Sequence, residues 1–130
     1  MKRLMVNTKQ KREVIDITEI VENLVGKGNL VSGICHVFTP HTTAAVTTAD
    51  LDPGTDLDLL GVLENLIPDI KFRHEHKPED APDHILGTIV GAFVSVPFID
   101  RSLVLGTWQR IILIEFDGPR EREVVVTTSD

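Results

Sequence analysis

The sequence predicts an α+β fold: an antiparallel or mixed sheet with two to three helices on one face. Three observations carry this expectation. Short β-branched segments outnumber helical periodicities. The late segments follow one another with only turns between them, as antiparallel neighbours do. The chain has 130 residues, 42% of them hydrophobic and 25% charged, which suits one ordinary domain with its own core. Neither a low-complexity linker nor an internal repeat divides it, so residues 1–130 are read as a single domain.

Lys2 to Val6 and Glu13 to Ile17 read as short strands. Asp16, with Glu19 three residues on, has the logic of a helix N-cap, and Gly26 that of a C-cap. Between them Ile17, Ile20, Val21, Leu24 and Val25 fall on one helical face. Gly28-Asn29 turns the chain into a strand over Leu30 to Phe38. A second helix is expected after Asp52 as cap and Pro53 in the first turn, with Asp56 and Asp58 at its positive end. Leu59, Leu60, Val62, Leu63, Leu66 and Ile67 give it a broad apolar face, and Pro68 stops it. A polar loop runs from Asp69 to Pro82, and Asp83 to Ala92 reads as a third short helix weakened by Gly87 and Gly91. Phe93 to Phe98, Leu103 to Leu105, Arg110 to Glu115 and Glu123 to Thr127 read as strands, with a hairpin turn at Asp100-Arg101-Ser102.

A net charge of −7 argues against non-specific binding to nucleic acid or an anionic membrane, because both need a basic face. No apolar run approaches the ~20 residues of a membrane-spanning helix. Lys2-Arg3 is followed by no apolar signal core, and the single cysteine, Cys35, forms no intrachain disulfide, so a cytoplasmic protein is expected. No glycine-rich phosphate loop is present, which argues against a Rossmann or P-loop nucleotide fold.

The candidate chemistry lies with the histidines. His41 follows a strand, His74 and His76 share a polar loop, and His84 opens a possible helix. Three imidazoles and a water make an open zinc site. Their spacing matches no local metal motif, so from spacing alone separate loop histidines are the simpler reading. His36, between apolar neighbours, reads as structural, and Cys35 as buried and inert. Asp50, Asp52, Asp56 and Asp58 form an acidic group able to hold magnesium, though helix-start and solvated carboxylates explain them as well. Trp108 and Gln109 interrupt an apolar stretch and offer a pocket lining, with a core or interface tryptophan as the simpler reading of Trp108. Glu115 ends a buried apolar run, where it needs either a site role or a salt bridge to Arg110, Arg120 or Arg122.

His41-Thr42-Thr43-Ala44-Ala45, Asp52-Pro53, Phe72-Arg73-His74, Asp83-His84, Leu105-Gly106-Thr107-Trp108-Gln109 and Glu115-Phe116-Asp117-Gly118-Pro119-Arg120 occur in one order along nearly the whole chain. In this order they resemble the YjbQ family. The resemblance implies a YjbQ-like α+β fold with sheets packed around a threefold axis in a homotrimer. It implies that His41, His74 and His84 share a polar pocket for a divalent metal, zinc above all, or for a phosphate or sulfate ion. It also implies a secondary thiamine-phosphate-synthase activity, a transferase reaction that joins a hydroxymethylpyrimidine diphosphate to a thiazole phosphate and releases diphosphate. Magnesium is the metal suited to that leaving group. Two departures stand out: Ala49-Asp50 replaces the Asn-Glu pair common in the family, and Asp100-Arg101-Ser102 replaces an Asp-Gly turn.

The expected function is therefore a metal-dependent enzyme acting on a phosphorylated small molecule. Asp52, Gln109 and Glu115 are its catalytic candidates, Thr42, Thr43 and Trp108 bind the substrate or anion, and the three histidines bind the metal. The alternative is a trimeric metal- or anion-binding protein without turnover.

Overall fold

The computed structural model describes Met1–Asp130. Its elements are strands β1 (Lys2–Asn7) and β2 (Glu13–Asp16), helix α1 (Thr18–Gly26), strands β3 (Gly33–Phe38) and β4 (Ala44–Ala49), helix α2 (Thr55–Asn65), a 3₁₀ turn (Pro78–Asp80), helix α3 (Ala81–Val90), and strands β5 (Phe93–Ile99), β6 (Ser102–Leu103), β7 (Arg110–Glu115) and β8 (Glu121–Ser129). The strands form two sheets rather than one. The first runs β1-β8-β3-β5-β6 and the second β2-β7-β4, and every pairing is antiparallel.

The three-stranded sheet is the middle layer, and alternation along β7 shows why. Ile111 and Leu113 enter the core shared with Val37, Val124 and Val126 of the large sheet and with Ile17, Val21 and Val25 at α1. Ile112 and Ile114 point the other way, onto Leu63 of α2 and Leu86 of α3. A strand buried on both faces reads as an unbroken apolar run. β4 obeys the same rule, with Ala44 and Val46 on one side and Ala45 on the other. Truncating one of the fully buried isoleucines to alanine costs about 2–5 kcal/mol.

Most elements fall where the sequence puts them, and the differences have local causes. β4 was not expected as a strand: alanine is a weak strand former, and only two buried faces make Ala44-Ala45-Val46 pay as one. Asp52 does not cap α2. The cap position is Gly54 at φ 90°, and Asp52 instead accepts the Thr55 N–H at its backbone carbonyl (2.9 Å). Val62 and Leu66, expected on the inner face of α2, are exposed. α3 starts two residues early, with Pro82 in its first turn, where a missing N–H costs nothing. Asp100 and Arg101 both adopt positive φ, as the tight turn between β5 and β6 demands. No helix is long and apolar enough to cross a membrane.

Candidate functional site

The β4–β7 ladder sorts the expected site residues into two groups. Ala44 pairs with Glu115 at one end and Ala49 with Arg110 at the other. At ~3.4 Å per residue those ends lie roughly 17 Å apart. His41, Thr42, Thr43 and Glu115 sit at the first end. Asp52, Trp108 and Gln109 sit at the second.

The second group does not reach the histidines. Asp52 and Trp108 line a small cavity of about 180 Å³ with Asp16, Asp50 and Arg110. Trp108 is exposed there, so it is not a core residue. Gln109 Oε1 accepts the Gly106 N–H at 2.8 Å and closes its own turn. These three residues cannot serve the histidine pocket of the same chain.

At the first end, His41, Thr42 and His84 line two adjoining cavities of about 390 and 360 Å³. Thr43, Asp80, Asp117, Arg120 and Arg122 complete the polar wall of the first. The Thr42 hydroxyl lies 2.9 Å from Nδ1 of His84. The His74 ring stacks on His84, with centroids 4.9 Å apart and planes 19° apart. The three motifs that carry His41, His74 and His84 thus converge. The largest cavity, about 420 Å³ beside Leu24 and Met1, holds none of the candidates.

Glu115 is buried, and it forms the salt bridge to Arg122 that its position called for. Its carboxylate accepts from Arg122 Nε at 2.9 and 3.1 Å, from Arg122 Nη2, from the Thr8 hydroxyl at 2.7 Å and from the Asp117 N–H at 3.1 Å. Burial alone would raise its pKa, but those hydrogen bonds and the Arg122 charge outweigh burial and lower it. Arg122 Nη2 goes on to donate to the Thr43 hydroxyl at 2.7 Å and the Thr43 carbonyl at 3.1 Å. Thr43 is therefore tied from below, while Thr42 faces the cavity.

Hydrogen bonds from the backbone decide what the imidazoles can offer. The Glu123 N–H donates to His41 Nε2 at 2.9 Å, and the Lys77 N–H donates to His74 Nδ1 at 3.1 Å. A neutral imidazole that accepts on one nitrogen carries its proton on the other. The free nitrogens, His41 Nδ1 and His74 Nε2, therefore present N–H groups. Zinc needs an unprotonated nitrogen from each ligand. As held, two of the three expected ligands do not fit zinc; His84 alone keeps the choice, because a hydroxyl can either donate or accept. Burial, then the nearby Arg122 charge, lowers the His41 pKa, against the smaller pull of Glu123 and Glu115.

Of the carboxylates beside the pocket, Asp83 and Asp117 are closely paired with cations, while Asp80 meets only Lys77 at 4.0 Å. Asp80, Asp83 and Asp117 bring oxygens within 4.8 Å of one another. Lys11 bridges Asp83 and Asp117 at 2.8 and 2.6 Å, Arg12 holds Asp83 at 2.9 Å, and Arg120 holds Asp117 at 2.7 Å. Burial works against ionisation of Asp117, but its bonds to Lys11 and Arg120 outweigh that and lower its pKa to about 2. Asp83, Asp117 and Arg120 of this cluster lie in the motifs singled out in the sequence. Lys11 and Arg12 gave no signal beyond their charge.

The structural readings of His36 and Cys35 agree with the fold. His36 lies between the Ser95 and Ser129 hydroxyls at 2.9 and 3.0 Å. Cys35 is fully buried, which pushes its thiol pKa up to about 11.

Comparisons with known proteins agree on one family. The model of the family described as UPF0047 protein YjbQ-like matches residues 2–130. A UPF0047 protein of Archaeoglobus fulgidus is 40% identical over 124 residues, covering 95% of this chain and 96% of the relative. The UPF0047 protein YugU of Bacillus subtilis is 36% identical over 126 residues, covering 94% and 93%. Among solved structures, a YjbQ/UPF0047 protein of Clostridium acetobutylicum superposes with a TM-score of 0.91 at 32% identity, covering 99% of this chain and all of the other. A protein of Sulfolobus solfataricus described as of unknown function superposes with a TM-score of 0.92 at 35% identity, covering 98% and 94%.

Proposed function

This chain belongs to the UPF0047 YjbQ-like family, and from that premise and the donor geometry of its pocket we propose that it binds a phosphorylated small molecule by its phosphate. The observation that carries this reading is the pair of backbone hydrogen bonds, Glu123 to His41 and Lys77 to His74, which leave N–H donors for a ligand. The ionised oxygens of a phosphate are acceptors, so N–H and hydroxyl groups suit them where lone pairs suit a metal. Arg120, half exposed on the cavity wall and paired with Asp117, adds further N–H donors. A transfer of the thiamine-phosphate type would bring a diphosphate to the same donors.

A zinc site is the competing reading, and it requires His41 and His74 to turn away from their backbone donors. Calorimetric titration of the untagged protein with inorganic phosphate, and separately with zinc, decides between them. Phosphate binding that weakens in His41→Ala and His74→Ala supports the oxyanion pocket. Zinc bound near one per chain and lost in both variants, with no phosphate binding, overturns it.

We infer also that copies of the chain assemble through the large sheet. Register places Met5, Phe38, Phe93 and Ile99 on the face turned away from the core, and all four are exposed. An apolar sheet face of this kind suits the homotrimer implied by the family resemblance. Light scattering of Phe93→Arg against the unaltered chain tests this: a drop to monomer supports it, and an unchanged mass refutes it.

A further inference from the structure

We propose that Thr42 and His84 form a nucleophile–base pair that accepts a phosphoryl group from a phosphate monoester. This rests on the oxyanion reading of the pocket and adds turnover to it.

The pairing is built by the packing of α3 on the segment before β4. A Cβ on Gly87 would lie 2.6 Å from the Thr42 carbonyl oxygen, so only a glycine lets the helix come this close. His84 sits one turn earlier on the same helical face. The approach brings its Nδ1 to 2.9 Å from the Thr42 hydroxyl. His74, stacked at 4.9 Å, covers one face of the His84 ring. Thr42 is exposed and His84 half-buried, and both line the two cavities that His41 also lines. A hydroxyl becomes a useful nucleophile when a base within hydrogen-bond reach takes its proton, and histidine is the usual base at neutral pH.

The step balances with these groups alone. His84, carrying its proton on Nε2, takes the Thr42 hydroxyl proton at Nδ1. The Thr42 oxygen forms a bond to phosphorus as the bond from phosphorus to the ester oxygen breaks. The departing alcohol takes the proton from His84. In the second half a water gives His84 its proton and attacks phosphorus. The bond to Thr42 breaks, the threonine oxygen takes the proton back, and inorganic phosphate leaves. His41 and Arg120 hold the non-bridging oxygens in both halves.

The test uses the full chain and its Thr42→Val and Thr42→Ser variants, with p-nitrophenyl phosphate as donor. The readouts are p-nitrophenolate release, a phosphoryl group on the peptide holding Thr42, and loss of labelled oxygen from inorganic phosphate into water. The unaltered chain and Thr42→Ser are expected to show turnover or label. Thr42→Val is expected to fall about a hundredfold or more, while its melting temperature holds. Turnover in Thr42→Val equal to that of the unaltered chain overturns the proposal. So does an unaltered chain that binds phosphate but shows no release, label or oxygen exchange. An unaltered chain that binds no phosphate fails earlier, at the oxyanion reading, and the pair falls with it.

Discussion

Arg122 and Glu115 form an ion pair with both side chains shut away from water, 4% and 0% exposed respectively. Every acceptor direction of the carboxylate is used, by the guanidinium, the Thr8 hydroxyl or the Asp117 N–H. Such a pair is costly to break from one side, because the survivor remains buried and charged. Glu115→Ala or Arg122→Ala is expected to lose about 3–5 kcal/mol of stability, measured by denaturant unfolding. A double change to similarly sized apolar residues should recover much of that loss. Single variants within 1 kcal/mol of the original, roughly the value of an exposed pair, would mean that the pair is not sealed.

Acid should weaken the fold at this end of the ladder through Asp117 and Glu115, and at the other end through Asp16, which Arg110 holds. Asp117, Glu115 and Asp16 all have lowered pKa values, Asp117 down to about 2. A carboxylate whose folded pKa is depressed stabilises the fold above its unfolded value, about 3.9–4.3, and loses that contribution as pH falls through the folded value. Thermal stability is expected to fall steadily between about pH 4 and pH 2, and Asp117→Asn should flatten that fall. An unchanged slope in Asp117→Asn would show that its bonds to Lys11 and Arg120 carry no linkage.

His41 gives the opposite kind of signal. Its folded pKa lies below the ordinary value of about 6.5. The unfolded chain therefore takes up a proton more readily, and His41 costs stability as pH drops below about 6.5. Nitrogen–proton correlation spectra are expected to show His41 protonated on Nδ1 and His74 on Nε2 at neutral pH. The reverse tautomers would mean that the Glu123 and Lys77 donors do not hold in solution, and with them would go the case against zinc.

Much of this was legible in the chain. β7 reads directly from its apolar run, because a strand buried on both faces has no polar alternation to interrupt it. The motifs around His41, His74 and His84 mark segments that the fold does bring together. What residue type cannot show is which ring nitrogen faces a backbone N–H, and that decides between metal and anion. Nor could the distance between Asp52 and His41 be judged without β4, whose alanines hide it. Glu115 was ambiguous for another reason: the run before it shows burial, but residue type does not choose among Arg110, Arg120 and Arg122, and only the fold brings Arg122 of β8 to it.

Gly87 tests the geometry of the pocket without removing a polar group. An alanine there places a methyl 2.6 Å from the Thr42 carbonyl oxygen, inside any real contact distance, and the obstacle is backbone that cannot swing away. α3 must retreat or the segment before β4 must bend. Overpacking of this kind costs about 1–3 kcal/mol, so the domain should remain folded with a lower melting temperature. The displacement acts on the Thr42–His84 contact first, since His84 rides on the same face one turn away. His41 is held from β8, through the Glu123 N–H, and should keep its position. Gly87→Ala is therefore expected to shift the His84 ring resonances and leave those of His41 in place. If the two histidines shift together, the pocket moves as one body; if neither shifts, α3 is not seated against Thr42 as closely as 2.6 Å implies.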